Sequence, residues 1–262
     1  MASDRNGGSY GTILPERQRV RGVAGLSGLL ALLVVSFGMR PDASAAPVQG
    51  SPGRVLKLVA LGDSLTAGYN LPEAAAFPAF LQAALRSRGH AVEIANAGVS
   101  GDTASGGLAR LDWSVPDGTD GVILELGAND MLRGVDPEVT RTALDAIVSR
   151  LAARKIPVML AGMYAARNLG PDYVQRFDAI HADLARKYGL LLYPFFLDGV
   201  SGGSAKYALP DGLHPSAEGV RVVVDRILPT VETFLAGLRA GAGPLSEAPS
   251  PRAGGEGGTA KP

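Results

Sequence analysis

Cysteine is absent from this chain of 262 residues, and histidine and tryptophan are scarce, with three residues and one. Without cysteine there are no disulfides, no thiolate-held zinc or iron–sulfur sites and no cysteine nucleophile. The 25 basic and 25 acidic side chains cancel, so we expect no nucleic-acid partner. Because no zinc-protease motif and no cluster of histidines with carboxylates occurs, we predict no metal, and we expect no cofactor.

The first 45 residues have the pattern of an export signal. Arginines between positions 17 and 21 precede an uncharged apolar run over residues 23–39, and the small residues up to Ala45 match a cleavage site. We expect a signal peptide over residues 1–45, and a periplasmic or secreted protein without a stable membrane anchor. An uncleaved anchor helix is the alternative, but the run is slightly short for a bilayer and contains glycine and serine.

The rest of the chain divides into a linker, one domain and a tail. Residues 46–54 form the short linker, and residues 55–239 form a single domain without internal repeats. Residues 240–262 are rich in glycine, proline and alanine, and they cannot bury enough apolar surface to offset the entropy of ordering. We therefore predict a disordered tail, and we expect the protein to be a monomer.

Within the domain, short apolar runs alternate with segments of helical periodicity. The runs predict strands over residues 55–61, 92–95, 122–126, 157–162 and 190–193. Between them lie helical stripes, one of which consists of Val139, Ala143, Ile147 and Leu151. Strands this apolar are covered on both faces, which predicts an α/β fold with a parallel sheet between helix layers. Ligands of such sheets bind beyond the carboxyl ends of the strands.

The first strand ends at a serine, Ser64, that would lie at this edge. A serine hydroxyl becomes a nucleophile only with a base, a group that orients the base, and donors for the resulting oxyanion. His214 follows the last strand, whereas His90 lies in a turn and His181 in a helix that would cover a sheet face. Asp211, three residues before His214, can fold back onto the imidazole, although the same residues also fit an ordinary turn.

Two glycine-containing loops offer the oxyanion donors. In the loop after the second strand, Gly101 allows close approach of the backbone to a ligand, and Asp102 or Thr103 can cap the next helix. In the loop after the third strand, Asn129 can point its amide toward a ligand or form a local turn. We expect the neighbouring Asp130 to be structural and to bond local backbone.

These segments, in this order, resemble the motif blocks of the SGNH, or GDSL, hydrolase family. Gly62–Leu65 matches the nucleophile block, Gly101 the glycine block, 127–130 the G-x-N-D block and 211–214 the D-x-x-H block. The stretches NAGVSGDT and ELGANDMLRG are most similar to the bacterial periplasmic branch that includes thioesterase I, arylesterase and lysophospholipase. The resemblance covers the chain from about residue 58 to the final helix.

The resemblance implies a three-layer α/β/α sandwich with a five-stranded, flavodoxin-like parallel sheet. It implies that Ser64 is the nucleophile, that His214 is the general base and acid, and that Asp211 orients His214. The amides of Ser64 and Gly101 and the side chain of Asn129 would form the oxyanion hole. The implied reaction is hydrolysis of small-molecule carboxylic esters or thioesters through an acyl-enzyme on Ser64. The implied substrates are aryl or short-to-medium acyl esters, acyl-CoA and lysophospholipid.

Several alternatives stay open at this point. Met131 and Leu132 could form an apolar lip that binds the acyl chain, or could simply pack against the next helix. Deacetylation of an exported polysaccharide is a rival reaction, although Trp113 is the only tryptophan available as a sugar platform. A non-catalytic surface-binding protein is a further alternative, although no motif is missing. Ser201 matches a G-x-S-x-G pattern, but no helical run follows it directly, so we do not predict it as the nucleophile.

Overall fold

The computed structural model describes residues 53–241, in which five strands form one parallel sheet. The order of the strands across the sheet is β2-β1-β3-β4-β5. Their bounds are β1 (Leu56–Gly62), β2 (Val92–Gly98), β3 (Gly121–Glu125), β4 (Val158–Ala161) and β5 (Leu191–Tyr193). This order confirms the predicted five-stranded, flavodoxin-like α/β architecture.

Helices follow each of the strands. They are α1 (Ser64–Ala67), α2 (Phe77–Ser87), α3 (Ala104–Ala109), α4 (Leu111–Ser114), α5 (Ala128–Leu132), α6 (Pro137–Ala153), α7 (Pro171–Tyr188) and α8 (Ala217–Arg239). In addition, 3-10 turns lie at Glu73–Ala75, Arg167–Leu169 and Ala205–Tyr207. Helix α2 packs with α8, whereas α6 packs with α3 and α7, which gives the sheet its two helix layers.

The core lies between the sheet and these helix layers. The strands β1, β3 and β4 are almost completely buried, as their apolar composition predicts. Phe77 of α2 meets Phe196, which follows β5, edge to face, with 4.9 Å between the ring centroids, and both rings are buried. Such aromatic pairs add to the stabilisation that burial of their area provides.

Two sequence predictions needed correction at the margins of the fold. Strand β2 continues to Gly98 because its backbone pairs with β1 as far as the Gly62–Gly98 register pair, and it is half exposed because it is an edge strand. In α6, Val139 is exposed, whereas Ala143, Ile147 and Leu151 are buried. The inward position of the first turn is taken by Thr140, and this register turns Val139 toward solvent.

The predicted signal peptide, residues 1–45, lies outside the described residues, as does the predicted tail from residue 242 onward. Nearly all of the predicted linker lies outside them as well. Between residues 53 and 241, none of the helices combines the length and the apolar character that crossing a bilayer requires.

Candidate active site

All four predicted blocks reach the carboxyl edge of the sheet, because each follows a parallel strand. Ser64 opens α1 directly after β1, and Gly101 lies in the loop after β2. Asn129 belongs to α5, which follows β3. Asp211 and His214 lie in the long loop between β5 and α8. The parallel topology thus gathers residues from distant parts of the chain at one edge.

His214 connects Ser64 to Asp211 through two short hydrogen bonds. Its Nε2 lies 2.8 Å from Ser64 Oγ, and its Nδ1 lies 2.7 Å from Asp211 Oδ2. Asp211 Oδ1 also accepts the backbone N–H groups of Leu213 and His214, at 2.9 and 3.0 Å. These backbone bonds, followed by the bond from the imidazole, lower the pKa of Asp211 to about 2. An ionised Asp211 holds the proton on Nδ1, so that Nε2 is left to accept the serine proton.

The ring of Tyr69 packs against the imidazole ring of His214, a contact that the sequence analysis did not predict. The centroids of the Tyr69 and His214 rings are 4.4 Å apart, and the ring planes are inclined by 32°. The chain reaches this place because Gly68 ends α1 in a left-handed conformation with φ of 79°. The only feature of the sequence that could have indicated this contact is an aromatic residue five positions after Ser64.

The three predicted oxyanion donors each keep an N–H hydrogen without an acceptor among the described residues. The backbone N–H groups of Ser64 and Gly101 donate to no other group within residues 53–241. Gly101 has φ of 86°, which favours glycine, and Arg133 donates a 2.7 Å hydrogen bond to its carbonyl oxygen. Asn129 donates one amide hydrogen to Asp63 Oδ2 at 3.1 Å. Because a primary amide has two N–H hydrogens, the second remains for a ligand.

Asp63 holds both the nucleophile turn and Asn129 in place, a role that the sequence analysis missed. Its carboxylate is completely buried, and Oδ1 accepts the N–H of Leu65 at 2.9 Å, which caps α1. Its Oδ2 accepts the Asn129 amide. Burial raises the pKa of Asp63 to about 6, while the Leu65 and Asn129 hydrogen bonds and the nearby His214 act in the opposite direction. Both oxygens accept hydrogen bonds, as fits the ionised form.

Glu125 forms a second buried carboxyl group under the nucleophile turn. It is 1% exposed, and its Oε2 accepts the Thr66 hydroxyl at 2.8 Å and, weakly, the N–H of Asp63 at 3.4 Å. Burial, followed by the charge of Asp63, raises the pKa of Glu125 well above its ordinary value. A single acidic residue in the apolar run VILEL was the only signal in the sequence.

Asp130 and the loop after β2 are joined by long-range hydrogen bonds. Asp130 is buried, and it accepts the N–H of Ala104 at 2.8 Å and the Thr140 hydroxyl at 3.0 Å. The residue is therefore structural, and its carboxylate bonds Ala104 and Thr140 in addition to its own backbone N–H. Thr103 caps α3, whereas Asp102 pairs with the buried Arg110. These contacts fix the loop that carries Gly101.

The other two histidines and Ser201 stand apart from the Ser64–His214–Asp211 chain. His181 is 3% exposed, and its Nε2 lies 3.2 Å from the carbonyl oxygen of Leu126. Burial lowers the pKa of His181 to about 4, so the ring is neutral at pH 7. The Nε2 atom of His90 lies 3.2 Å from Glu232. Ser201 lies in an exposed turn and lacks the strand and helix that a nucleophile elbow requires.

A cavity of about 580 Å³ opens beside His214. Its apolar wall consists of Met131, Met163, Tyr164, Phe195, Leu197 and Val200. Tyr164 and Phe195 stack with 5.0 Å between their centroids. Leu132 does not line this cavity and is more than half exposed. The structure thus separates the two residues that the sequence analysis grouped as one lip.

An open parallel α/β sheet with a Ser-His-Asp chain at its carboxyl edge has the architecture of an α/β serine hydrolase. Comparison with known proteins agrees with this class. Residues 60–222 match the profile of the GDSL-like lipase/acylhydrolase family. The chain is 34% identical to esterase TesA of Pseudomonas aeruginosa over 179 residues, which are 68% of this chain and 89% of that protein.

Two further relatives give the same result. The chain is 39% identical to an arylesterase of Vibrio mimicus over 163 residues, which are 62% of this chain and 81% of that protein. The crystal structure of AlinE4, an SGNH-hydrolase family esterase, superposes with a TM-score of 0.59 at 43% identity, covering 71% of this chain and 99% of that one. The chain therefore belongs to the GDSL-like lipase/acylhydrolase family, that is, to the SGNH-type esterases.

Proposed function

We propose that the protein hydrolyses carboxylic esters or thioesters of small molecules through an acyl-enzyme on Ser64. The observation that carries this proposal is the continuous chain from Ser64 Oγ to His214 Nε2 at 2.8 Å and from His214 Nδ1 to Asp211 at 2.7 Å. This chain supplies the base and the orienting carboxylate that a serine hydroxyl needs.

In the first half of the reaction, Ser64 Oγ attacks the carbonyl carbon of the ester while its proton passes to His214 Nε2. The imidazolium that forms is stabilised by the ionised Asp211. His214 then gives this proton to the leaving alcohol or thiol, and the bond between carbonyl carbon and leaving group breaks. In the second half, His214 takes a proton from water, whose oxygen attacks the carbonyl carbon of the acyl-enzyme. The bond between this carbon and Ser64 Oγ then breaks, His214 returns the proton to Oγ, and the acid leaves.

The carbonyl oxygen becomes an oxyanion in each half of the reaction. We assign its stabilisation to the backbone N–H groups of Ser64 and Gly101 and to the second amide hydrogen of Asn129. Two observations support this assignment. Neither backbone N–H group has another acceptor within residues 53–241, and Asp63 fixes the Asn129 amide. Donors fixed in advance need no reorganisation as charge develops, which is why they accelerate the reaction.

The cavity beside His214 supports an apolar acyl or aryl group as the substrate portion that is bound. Met131 contributes to its wall, and no charged side chain except Arg167 and the candidate base His214 lines it. We therefore propose aryl esters, short-to-medium acyl esters and thioesters as substrates, with acyl-CoA and lysophospholipid as further candidates. We also propose export, on the N-terminal pattern of the sequence, and action as a monomer without a cofactor.

The proposal is tested by the hydrolysis of dissolved p-nitrophenyl butyrate by the Ser64→Ala variant. We expect kcat/KM to fall roughly 10⁴-fold or more, because the nucleophile is lost. Ser201→Ala is the matched control, since Ser201 lines the same cavity, and it should keep a rate close to that of wild type. A serine-directed organophosphonate should label wild-type protein and not Ser64→Ala. Undiminished hydrolysis by Ser64→Ala would refute the assignment.

A further inference from the structure

Exposed apolar side chains are concentrated around the opening of the site. Eight large hydrophobic side chains are exposed among the described residues, and seven of them follow a strand of the sheet. Trp113 in α4 and Val139 in α6 are two of these, and the other five come one from the segment after each strand. In strand order β1 to β5 these are Tyr69, Val99, Leu132, Tyr164 and Leu213, which we call the apolar rim. Single exposed apolar residues are ordinary on a protein surface, but clusters of them mark interaction sites.

The contacts of the apolar rim place it at the mouth of the cavity. Tyr69 stacks on His214, and Tyr164 and Leu213 line the cavity. The N–H of Val99 donates to the carbonyl oxygen of Gly62, two residues before the proposed nucleophile. Leu132 directly follows Met131, which lines the cavity. Tyr164 and Leu213 therefore line the cavity and Tyr69 lies against His214, while Val99 and Leu132 lie in neighbouring loops at the same edge of the sheet.

A positive charge accompanies the rim. Arg133 is exposed beside Leu132, and its guanidinium donates to the carbonyl oxygen of Gly101 without an ion pair to any residue between 53 and 241. Among the acidic residues of the adjoining loops, Asp102 pairs with Arg110 and Asp211 with His214, and Asp130 is buried with hydrogen bonds from Ala104 and Thr140. The mouth thus combines exposed apolar groups with an arginine that can accept an anionic partner, and phosphate fits guanidinium geometry.

We propose that the apolar rim and Arg133 dock the protein on aggregates of amphiphiles whose headgroups carry phosphate. The rim side chains would enter the acyl layer just below the headgroups, and Arg133 would contact phosphate. This inference rests on the proposed function, because the docked aggregate would supply its ester to Ser64 through the cavity. It adds that the enzyme binds the aggregate by a surface that is distinct from the reacting groups.

The test measures binding of the full-length Ser64→Ala protein to dodecylphosphocholine micelles, which contain phosphate and no carboxylic ester. The double substitution Val99→Asn and Leu132→Asn, added to this protein, should weaken micelle binding about tenfold, because two partly exposed apolar groups no longer enter the acyl layer. Adding Arg133→Gln instead should weaken it about fivefold. That substitution should not change binding to dodecyl maltoside micelles, which lack phosphate.

Val55→Asn, also added to Ser64→Ala, is the matched control. Val55 is 42% exposed, close to the 39% of Val99, but it precedes β1 and lies at the opposite edge of the sheet. It should bind micelles within about twofold of the parent, since it does not face the same surface. Equal thermal stability of all variants shows that each one is folded.

The outcomes separate this inference from the proposed function. Unchanged binding of the Val99 and Leu132 double variant, or equal weakening by Val55→Asn, would overturn the docking surface. Equal effects of Arg133→Gln on both detergents would overturn the phosphate contact. Because binding is measured in the Ser64→Ala protein without catalysis, its result does not depend on whether wild type hydrolyses p-nitrophenyl butyrate. Conversely, an inactive wild type that still binds micelles through the rim would sink only the proposed function.

Discussion

Replacement of the buried His181 by glutamine should make folding of the protein less sensitive to acid. His181 lies under the turn at Gly127, where a side-chain carbon added to Gly127 would come within 3.7 Å of the ring. Burial lowers its pKa from 6.5 to about 4, and its Nδ1 has no hydrogen-bond partner among the described residues. Protonation would therefore place an unpaired charge in the core.

The sign of the effect follows from the two pKa values. Between pH 6.5 and pH 4 the unfolded chain binds a proton at His181 that the folded protein does not bind, so stability falls as the pH falls through this range. Integration of this difference gives a loss of about 2 kcal/mol in the free energy of unfolding between pH 8 and pH 5, from this residue alone. Below pH 4, where the effect is complete, the loss in the free energy of unfolding from this residue is about 3 kcal/mol.

Asp63 and Glu125 act in the opposite direction, because their raised pKa values make the folded state the better proton binder as the pH falls. The comparison must therefore be made between wild type and His181→Gln at each pH. Glutamine can still donate to the carbonyl oxygen of Leu126, so we expect the variant to be only about 1 kcal/mol less stable than wild type at pH 8. At pH 5 that deficit should vanish or reverse.

The assay is urea unfolding of both proteins at pH 8, 7, 6 and 5, with the free energy of unfolding obtained by linear extrapolation. His90→Gln serves as the control, because His90 is partly exposed, pairs with Glu232 and lies in the loop between α2 and β2. A stability difference between wild type and His181→Gln that stays constant from pH 8 to pH 5 would show that the imidazole is not held neutral by the core. The reasoning about its burial would then fail.

Two further predictions concern the residues around the nucleophile. Asn129→Ala should lower kcat on p-nitrophenyl butyrate about 10²–10³-fold with little change in KM or melting temperature, because it removes a proposed oxyanion donor. A large rise in KM with normal kcat would instead show that Asn129 binds the substrate in its ground state. Glu125→Gln should stay within about threefold of wild-type kcat, because a neutral amide still accepts the Thr66 hydroxyl. Glu125→Ala should be less stable by about 2–3 kcal/mol in urea unfolding, because it leaves a cavity and an unpaired hydroxyl. Equal damage from Gln and Ala would indicate that Glu125 must be ionised.

The sequence was sufficient to predict the position of the site residues that the topology of the sheet alone brings together. Ser64, Gly101, Asn129 and His214 each follow a different strand, and in a parallel sheet all of those strand ends lie at one edge. A residue that directly follows a recognisable strand is therefore located without knowledge of packing. The same reasoning placed Asp211, because three residues of a turn are too short a distance to carry it away from His214.

The supporting groups could not be predicted in this way, because their positions depend on packing. Asp63 was read as part of a motif, but its bonds to Leu65 and Asn129 depend on how two loops approach each other. Glu125 has the periodicity of a buried strand residue, and nothing in that periodicity says that a carboxyl group can be accommodated there. Leu132 and its neighbour Met131 have similar hydrophobicity, and only the orientation of the short α5 helix separates their surroundings.

The carboxyl groups of Asp211, Asp63 and Glu125 differ in pKa because they differ in burial and in the hydrogen bonds that they accept. Asp211 accepts two backbone N–H groups and the imidazole, and its pKa is lowered to about 2. Asp63 accepts two donors but is buried, and its pKa rises to about 6. Glu125 has one hydroxyl and one distant N–H in complete burial, and its pKa is raised well above the ordinary value.

These pKa differences favour negative charge on Asp211 over negative charge on Glu125. Asp211 is ionised behind the histidine, where a positive charge develops when Ser64 loses its proton. The pKa of Glu125 is raised well above its ordinary value by burial and by the charge of Asp63, which favours its neutral form. Asp63 keeps its charge near pH 7, but each of its oxygens accepts a hydrogen bond, and one of these bonds is the means by which Asn129 is oriented. In the proposed reaction, the ionised Asp211 would therefore stabilise the imidazolium, and the Asn129 amide that Asp63 orients would stabilise the oxyanion.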